Sequence, residues 1–376
     1  MESGIEEEAE SQGSWMGELP NFEPMDPTSN EGIGEQGNHM WGLGHYTPDR
    51  ILAFDKKTDD ATFYLSSQWL TKFVPSVYTL VFIVALPLNV LAIIIFLFKI
   101  HIKKPAVVYM LNLAAADVLF VILLPFNIAY RFSGNNWLIG EGMCRFVTAA
   151  FYCNMYCSIL LMTSMSMDRF LAVVYPMQSL TWRTMNRAWL VCLFIWIISI
   201  ASTVPLLISE QTQYIDSLDI TTCHDVLDHK QQQNFYLYYF IIFSLIFFFL
   251  PLVITIICYI GIIRTLSSRN IVNSNKKTRA VVLAIIMLSV FVICFGPTNV
   301  IFLMHYMHFT VGYDGSLYFA YILCACVSSI SSCLDPLMFC YASSKCRLYA
   351  YSLLFCKKTE ELRTKQKELS TESSTL

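Results

Sequence analysis

The chain's 376 residues are 55% hydrophobic and only 14% charged, with a formal net charge of −3. Such a composition is too apolar for a soluble domain of this length and points to a membrane protein. Acids crowd residues 1–60, whereas Lys and Arg recur in short clusters between long apolar runs.

Residues 1–71 mix Gly, Pro, Ser, Glu and Asn without sustained periodicity. They cannot bury enough surface to offset their ordering entropy, so a disordered acidic extracellular tail is expected. The first residues have no basic start and no apolar core, so no cleavable signal peptide is expected; either the first membrane helix targets the chain or the true start lies upstream of Met1. Apart from two histidines, Arg50 is the first basic residue, and it is therefore a candidate cleavage point for a trypsin-like protease.

Seven apolar stretches follow, at about 72–99, 106–130, 144–175, 188–208, 235–264, 280–307 and 317–341. Each is long enough to cross roughly 30 Å of hydrocarbon as a helix. The links after the first, third, fifth and seventh carry most of the basic residues, among them Lys103, Lys104, Arg183, Arg187, Lys276, Lys277, Lys345 and Arg347. The opposite loops hold chiefly Arg131, Arg145 and Lys230, so the amino terminus is expected outside and the carboxyl terminus in the cytoplasm. A short amphipathic eighth helix is expected over 343–356, then a second disordered tail over 357–376. The fold class is thus an all-α membrane protein, a seven-transmembrane helix bundle over 72–342. A transporter or channel would show repeats, broken helices in pairs or a path of buried charge, and an intramembrane protease a Ser/His or HExxH pairing. The sequence displays none of these, so no enzyme is expected.

Polar residues inside such helices are costly and are functional candidates by default. Asn89, Asp117, Ser158 and Asp335 stand out. Pro297 removes a backbone hydrogen bond and should kink the sixth span, with Phe291 and Phe295 beside it.

"MDRFLAVVYP" (167–176), Trp196, Pro251 with Tyr259, "FVICFGPTNV" (291–300) and "DPLMF" (335–339) resemble, in order, the signature positions of rhodopsin-like G-protein-coupled receptors. The resemblance covers about residues 72–356. It implies that Asp117 and Ser158, with Asn89 and Asp335, line a pocket for an allosteric sodium ion; no other cofactor is expected. Two facing carboxylates in low dielectric share a proton or take up a cation, although one could simply be neutral and hydrogen-bonded. It also implies that Asp168 and Arg169 form the G-protein-coupling end of span three, unless they are a solvated surface pair. The switch is completed by Tyr259, Phe291, Phe295, Pro297 and Phe339. Phe170 and Phe339 stand where the family commonly has Tyr, and Phe295 where it has Trp. Cys144 and Cys223 resemble the family's disulfide between span three and the second outer loop, and Cys356, with Cys346 second, its lipidation site.

Longer runs, among them "CRFVTAAFYCNMY", "PLLISEQT", "ITTCHDVL" and "CFGPTNV", are similar to the protease-activated receptors. That likeness implies that a trypsin-like serine protease such as thrombin cuts the tail and that the new amino terminus acts as a tethered peptide agonist. The ligand residues it carries over are Tyr152, His224, Asp225, Leu227, Phe240, His305, Tyr306, Tyr318 and Tyr321. Aromatics around one carboxylate suit a peptide with a free ammonium or an Arg, though single aromatics also anchor helices at membrane interfaces. The implied partners are heterotrimeric G proteins of the q, 12/13 and i classes, arrestin, membrane lipid and related receptors as dimer partners, with no nucleic acid. The location is the plasma membrane, as a multi-pass protein. Around Arg50 the pattern departs from the family: Asp49 precedes it and "ILAF" follows, in place of a Ser-Phe-Leu-Leu-like hexapeptide. A member lacking its own agonist, serving as a co-receptor, or a receptor for a diffusible peptide are the alternatives.

Overall fold

A computed structural model of the chain describes residues 62–100, 104–226, 237–268, 274–308, 315–342 and Cys346. Arg50, Leu227, Cys356 and all but one residue of the expected eighth helix lie outside the described residues.

The seven spans form helices α1 (Trp69–Phe98), α2 (Pro105–Phe132), α3 (Glu141–Val174), α4 (Met185–Ile208), α5 (Tyr238–Ser268), α6 (Val281–Met307) and α7 (Gly315–Tyr341). Local sequence sets their starts. Pro105 opens α2, where its missing N–H costs nothing and Lys104 before it is extended. Thr184 caps α4 by accepting the Arg187 N–H. Gly140 turns into α3 at φ +95, a conformation a side chain would resist.

α3 is the central helix and packs against α2, α4 and α5; α1 contacts α2 and α7, and α6 contacts α5 and α7. Large apolar side chains such as Phe98, Leu190, Phe194 and Ile257 point outward and are exposed, as a surface facing hydrocarbon requires.

In α5, α6 and α7 the helical ladder breaks near a proline, where a backbone carbonyl loses its donor. Wider π-helical turns precede Pro251 in α5 (Leu245–Phe249) and Pro297 in α6 (Phe291–Phe295). α7 is interrupted at 329–330, where the Ser328 and Ser329 hydroxyls donate to the Ala325 and Cys326 carbonyls. One turn on, Pro336 cannot donate to the Ser332 carbonyl, and Asn89 of α1 supplies the donor instead, at 2.8 Å.

Between α4 and α5 runs an antiparallel hairpin, β1 (Thr212–Ile215) with β2 (Ile220–Cys223), paired from Thr212↔Cys223 to Ile215↔Ile220. The disulfide Cys144–Cys223 ties it to α3. Glu141 fastens the other strand, accepting from the Gln211 and Thr212 backbone N–H groups at 2.7 and 2.9 Å.

The tail's inner edge departs from the expected disorder over 1–71. Residues 62–65 form a helical turn with Tyr64 and Leu65 only 2% and 1% exposed, and α1 starts at Trp69. Two apolar side chains in "TFYLSSQWL" give this short segment a face to bury.

Candidate functional site

At the hairpin end, Asp225 follows β2 and is the hub of a buried polar cluster. The Arg131 guanidinium grips it bidentately, Nη1 to Oδ2 at 2.7 Å and Nη2 to Oδ1 at 2.8 Å. The Tyr130 hydroxyl donates to Oδ2 at 2.5 Å, and Tyr64 donates to the Asp225 carbonyl at 3.1 Å. Asn135 accepts from Arg131 and donates to the Leu65 carbonyl, so the pair also fastens the segment entering α1. The sequence reading offered Asp225 as an open carboxylate for an incoming cation. In the structure its counter-charge is already supplied by Arg131, because two groups this buried must neutralise each other.

His224 sits in the left-handed region at φ 64. Its Nδ1–H donates to the Gln211 side-chain oxygen (2.7 Å), and Nε2 accepts from the Tyr152 hydroxyl (3.0 Å), which is 2.8 Å from that of Tyr321. That tautomer is assigned from the partners. Burial pushes the imidazole down to about 4, against the opposing pull of Asp225, so the ring is neutral. Tyr318 donates to the His224 carbonyl at 2.8 Å.

Behind this lies an aromatic wall. Tyr152 and Phe240 have centroids 5.6 Å apart, Phe240 and Tyr306 4.9 Å, and His305 and Tyr318 5.4 Å. Phe302, which the sequence reading missed, joins them, 4.8 Å from Phe240 and 4.9 Å from Tyr321. Of the nine expected ligand residues, all eight that are described thus fall in one cluster. The cavity lined by Tyr130, Arg131, Tyr152, Asp225 and Tyr318 measures about 80 Å³, room for a few waters and well below the ~300 Å³ of small-molecule sites. The cavity is therefore narrow in this structure.

Midway along the bundle, Asn89, Asp117, Ser158 and Asp335 are all buried. The Ser332 hydroxyl donates to Asp117 Oδ1 at 2.8 Å. The Asp117 and Asp335 carboxyl groups lie within hydrogen-bonding reach of each other, while the Ser158 hydroxyl and Asn89 Oδ1 find no hydrogen-bond partner among the described residues. This concentration of orphaned oxygen atoms fits a site for a hard cation and its waters.

At the opposite end, Asp168 does not pair with Arg169. Both its oxygens accept from Arg183, at 2.7 Å each. Arg169 reaches instead to the Met287 sulfur at 2.8 Å. The Tyr259 hydroxyl accepts from Ser166 at 2.8 Å, while Phe339 packs edge-on against Phe96. Phe291 lies 6.0 Å from both Phe248 and Phe295. Phe170 occupies the space a Cβ on Gly261 would need, so a glycine lets α5 approach there. Cys346, expected as a second lipidation site, is 1% exposed with its sulfur 3.6 Å from that of Cys340.

The sequence matches the family described as 7 transmembrane receptor (rhodopsin family) over residues 88–339, a stretch running from the residue before Asn89 to Phe339. It is 68% identical over 304 residues to proteinase-activated receptor 1 of Xenopus laevis, covering 81% of this chain and 72% of the relative. The chain belongs to the proteinase-activated receptors of the rhodopsin family. The receptor is also 58% identical over 305 residues to proteinase-activated receptor 1 of Homo sapiens, with the same coverage of 81% and 72%. To proteinase-activated receptor 2 of Bos taurus it is 38% identical over 312 residues, covering 82% of the chain and 79% of the relative. It is a membrane receptor and not an enzyme.

Two outcomes are expected of purified receptor in thermal unfolding. Arg131→Met, which strands the buried Asp225 charge, should destabilise by roughly 3–5 kcal/mol, and Arg131→Met with Asp225→Leu should recover most of that loss. His224 resists protonation when folded, so its contribution is complete above about 6.5, the unfolded value, and falls as pH drops toward 4. The melting temperature should therefore fall between pH 7 and 5, and His224→Gln should flatten that slope.

Proposed function

We propose that the receptor is switched on by proteolysis: a trypsin-like serine protease such as thrombin cuts the extracellular tail, and the peptide so released at the new amino terminus binds the Asp225 cluster. The observation that carries this reading is the seating of Tyr64 and Leu65 on that cluster. The tail leaves the bundle at the agonist site itself, so a tethered peptide is delivered at an effective concentration of roughly millimolar and a weak ligand saturates.

An incoming ammonium or guanidinium carries the same charge and N–H donors as Arg131, and by competing for Asp225 it would open the pocket. Agonist contacts with the aromatic wall would then favour rotation of the inner half of α6 about the π-turn and Pro297. Arg169 would leave Met287 to meet a heterotrimeric G protein of the q, 12/13 or i class, and arrestin would use the same opening. A sodium ion among Asp117, Asp335, Ser158 and Asn89 would favour the closed state by satisfying oxygen atoms that otherwise lack partners. The receptor would lie in the plasma membrane with its amino terminus outside.

In cells expressing the receptor at the surface, a synthetic Ser-Phe-Leu-Leu-type hexapeptide should evoke a calcium rise. Arg169→Ala should abolish that rise while leaving peptide binding unchanged. Silence of the surface-expressed wild type would overturn the signalling role, and an intact response in the variant would overturn the role of Arg169.

A further inference from the structure

Asp168 is 6% exposed, and both its oxygens are taken by Arg183. A carboxylate gripped bidentately by one guanidinium has its charge compensated and keeps only its outer lone pairs for another donor. Arg183 closes the short helix Pro176–Trp182, just before Thr184 caps α4. That short helix is itself tied down, because Arg187 donates to the Thr181 and Trp182 carbonyls. The hydrogen bonds to Asp168 raise the affinity of Arg183 for its proton above the ordinary value.

Arg169 is left with thioethers. Its Nη1 lies 2.8 Å from the Met287 sulfur and its Nη2 3.8 Å from that of Met165, and a thioether is a weak acceptor for a group with five N–H donors. No ion pair is formed by Arg169 among the described residues. Nor can the start of α6 supply one, since residues 268–290 contain no Asp or Glu. Arg169 and Arg183 line one cavity of about 230 Å³ with Asp168, Tyr259 and Leu283.

We infer that Arg183 is a positioning residue for the coupling switch: by occupying Asp168 it denies Arg169 its neighbouring carboxylate and leaves that guanidinium weakly held against α6, ready for transfer to a stronger acceptor on the G protein. The inference rests on the G-protein role proposed above for Arg169. It has an unusual sign. Removal of Arg183 frees Asp168 to capture Arg169, so the switch becomes harder to turn; removal of the Asp168 charge as well releases Arg169 again.

The test compares wild type, Arg183→Ala, Arg183→Lys and the double variant Arg183→Ala with Asp168→Asn, all matched for surface expression and for binding of the Ser-Phe-Leu-Leu-type peptide. Arg183→Ala should lower agonist potency in G-protein activation roughly tenfold, and the double variant should regain most of it. Arg183→Lys should fall between, because an ammonium cannot engage both oxygens as a fork does. In purified receptor carrying ¹³C-methyl methionine, the Met287 resonance should shift in Arg183→Ala and return in the double variant. A merely structural role would leave the double variant at least as impaired as the single. That result overturns the inference, as does unchanged potency in Arg183→Ala. If the wild type does not respond to peptide, the methyl spectrum decides alone, and an unshifted Met287 resonance in Arg183→Ala overturns the inference.

Discussion

Arg131 and Asp225 neutralise each other at the hairpin end of the bundle, and the arrangement of that end depends on this pair. Both are almost fully buried; either charge alone would be stranded in a region of low dielectric, so the two must stay together or be solvated together. Around them converge the end of α2, the strand tied to α3 by the disulfide, the start of α7 through Tyr318, and the segment leading into α1 through Tyr64 and Asn135. Four chain segments distant in sequence are thus held by one buried ion pair. Under the proposed mechanism a cationic ligand would compete for that pair, so the same contact that defines the end of the bundle at rest would make it sensitive to a charged peptide.

The way such an exchange travels inward is suggested by where the helices depart from regular geometry. α5, α6 and α7 each carry a π-turn or break near a proline. Local rearrangement there costs less than bending a regular helix, because the backbone ladder is already interrupted. Two of these breaks adjoin functional side chains. The π-turn of α6 holds Phe291 and Phe295, and the break in α7 lies next to Ser332, which joins Asp117 to Asn89. The orphaned oxygen atoms of the polar core lie between the two ends, where a cation or waters would add rigidity.

Much of this was legible in the sequence, for physical reasons. Long apolar runs admit only helices in a bilayer, and the starts and ends of the seven fell within a few residues of those expected. Residues that the family resemblance groups, such as Asn89 with Asp117 and Asp335, or Tyr152 with His224 and Tyr321, lie together in the structure. What escaped was pairing at a distance. Arg131 reads as an ordinary charge at the end of a span, and its partner lies 94 residues away. Arg183 reads as one of several basic residues facing the cytoplasm, although it removes Asp168 from Arg169. Tyr64 and Leu65 sit in a stretch whose composition says tail, and two buried side chains outweigh that composition. Phe302 carries no motif at all; its place is fixed only by the packing of α3, α5, α6 and α7.

A peptide at the Asp225 cluster would loosen the pair and, through it, the π-turn of α6. Hydrogen–deuterium exchange of the purified receptor, with and without a saturating Ser-Phe-Leu-Leu-type peptide, tests this in one measurement. Exchange should change at residues 62–65 and 220–226 and rise together around Phe291–Pro297. Bound peptide that leaves residues 62–65 and 220–226 unchanged would contradict the claim, as would a change confined to the hairpin end with none in α6.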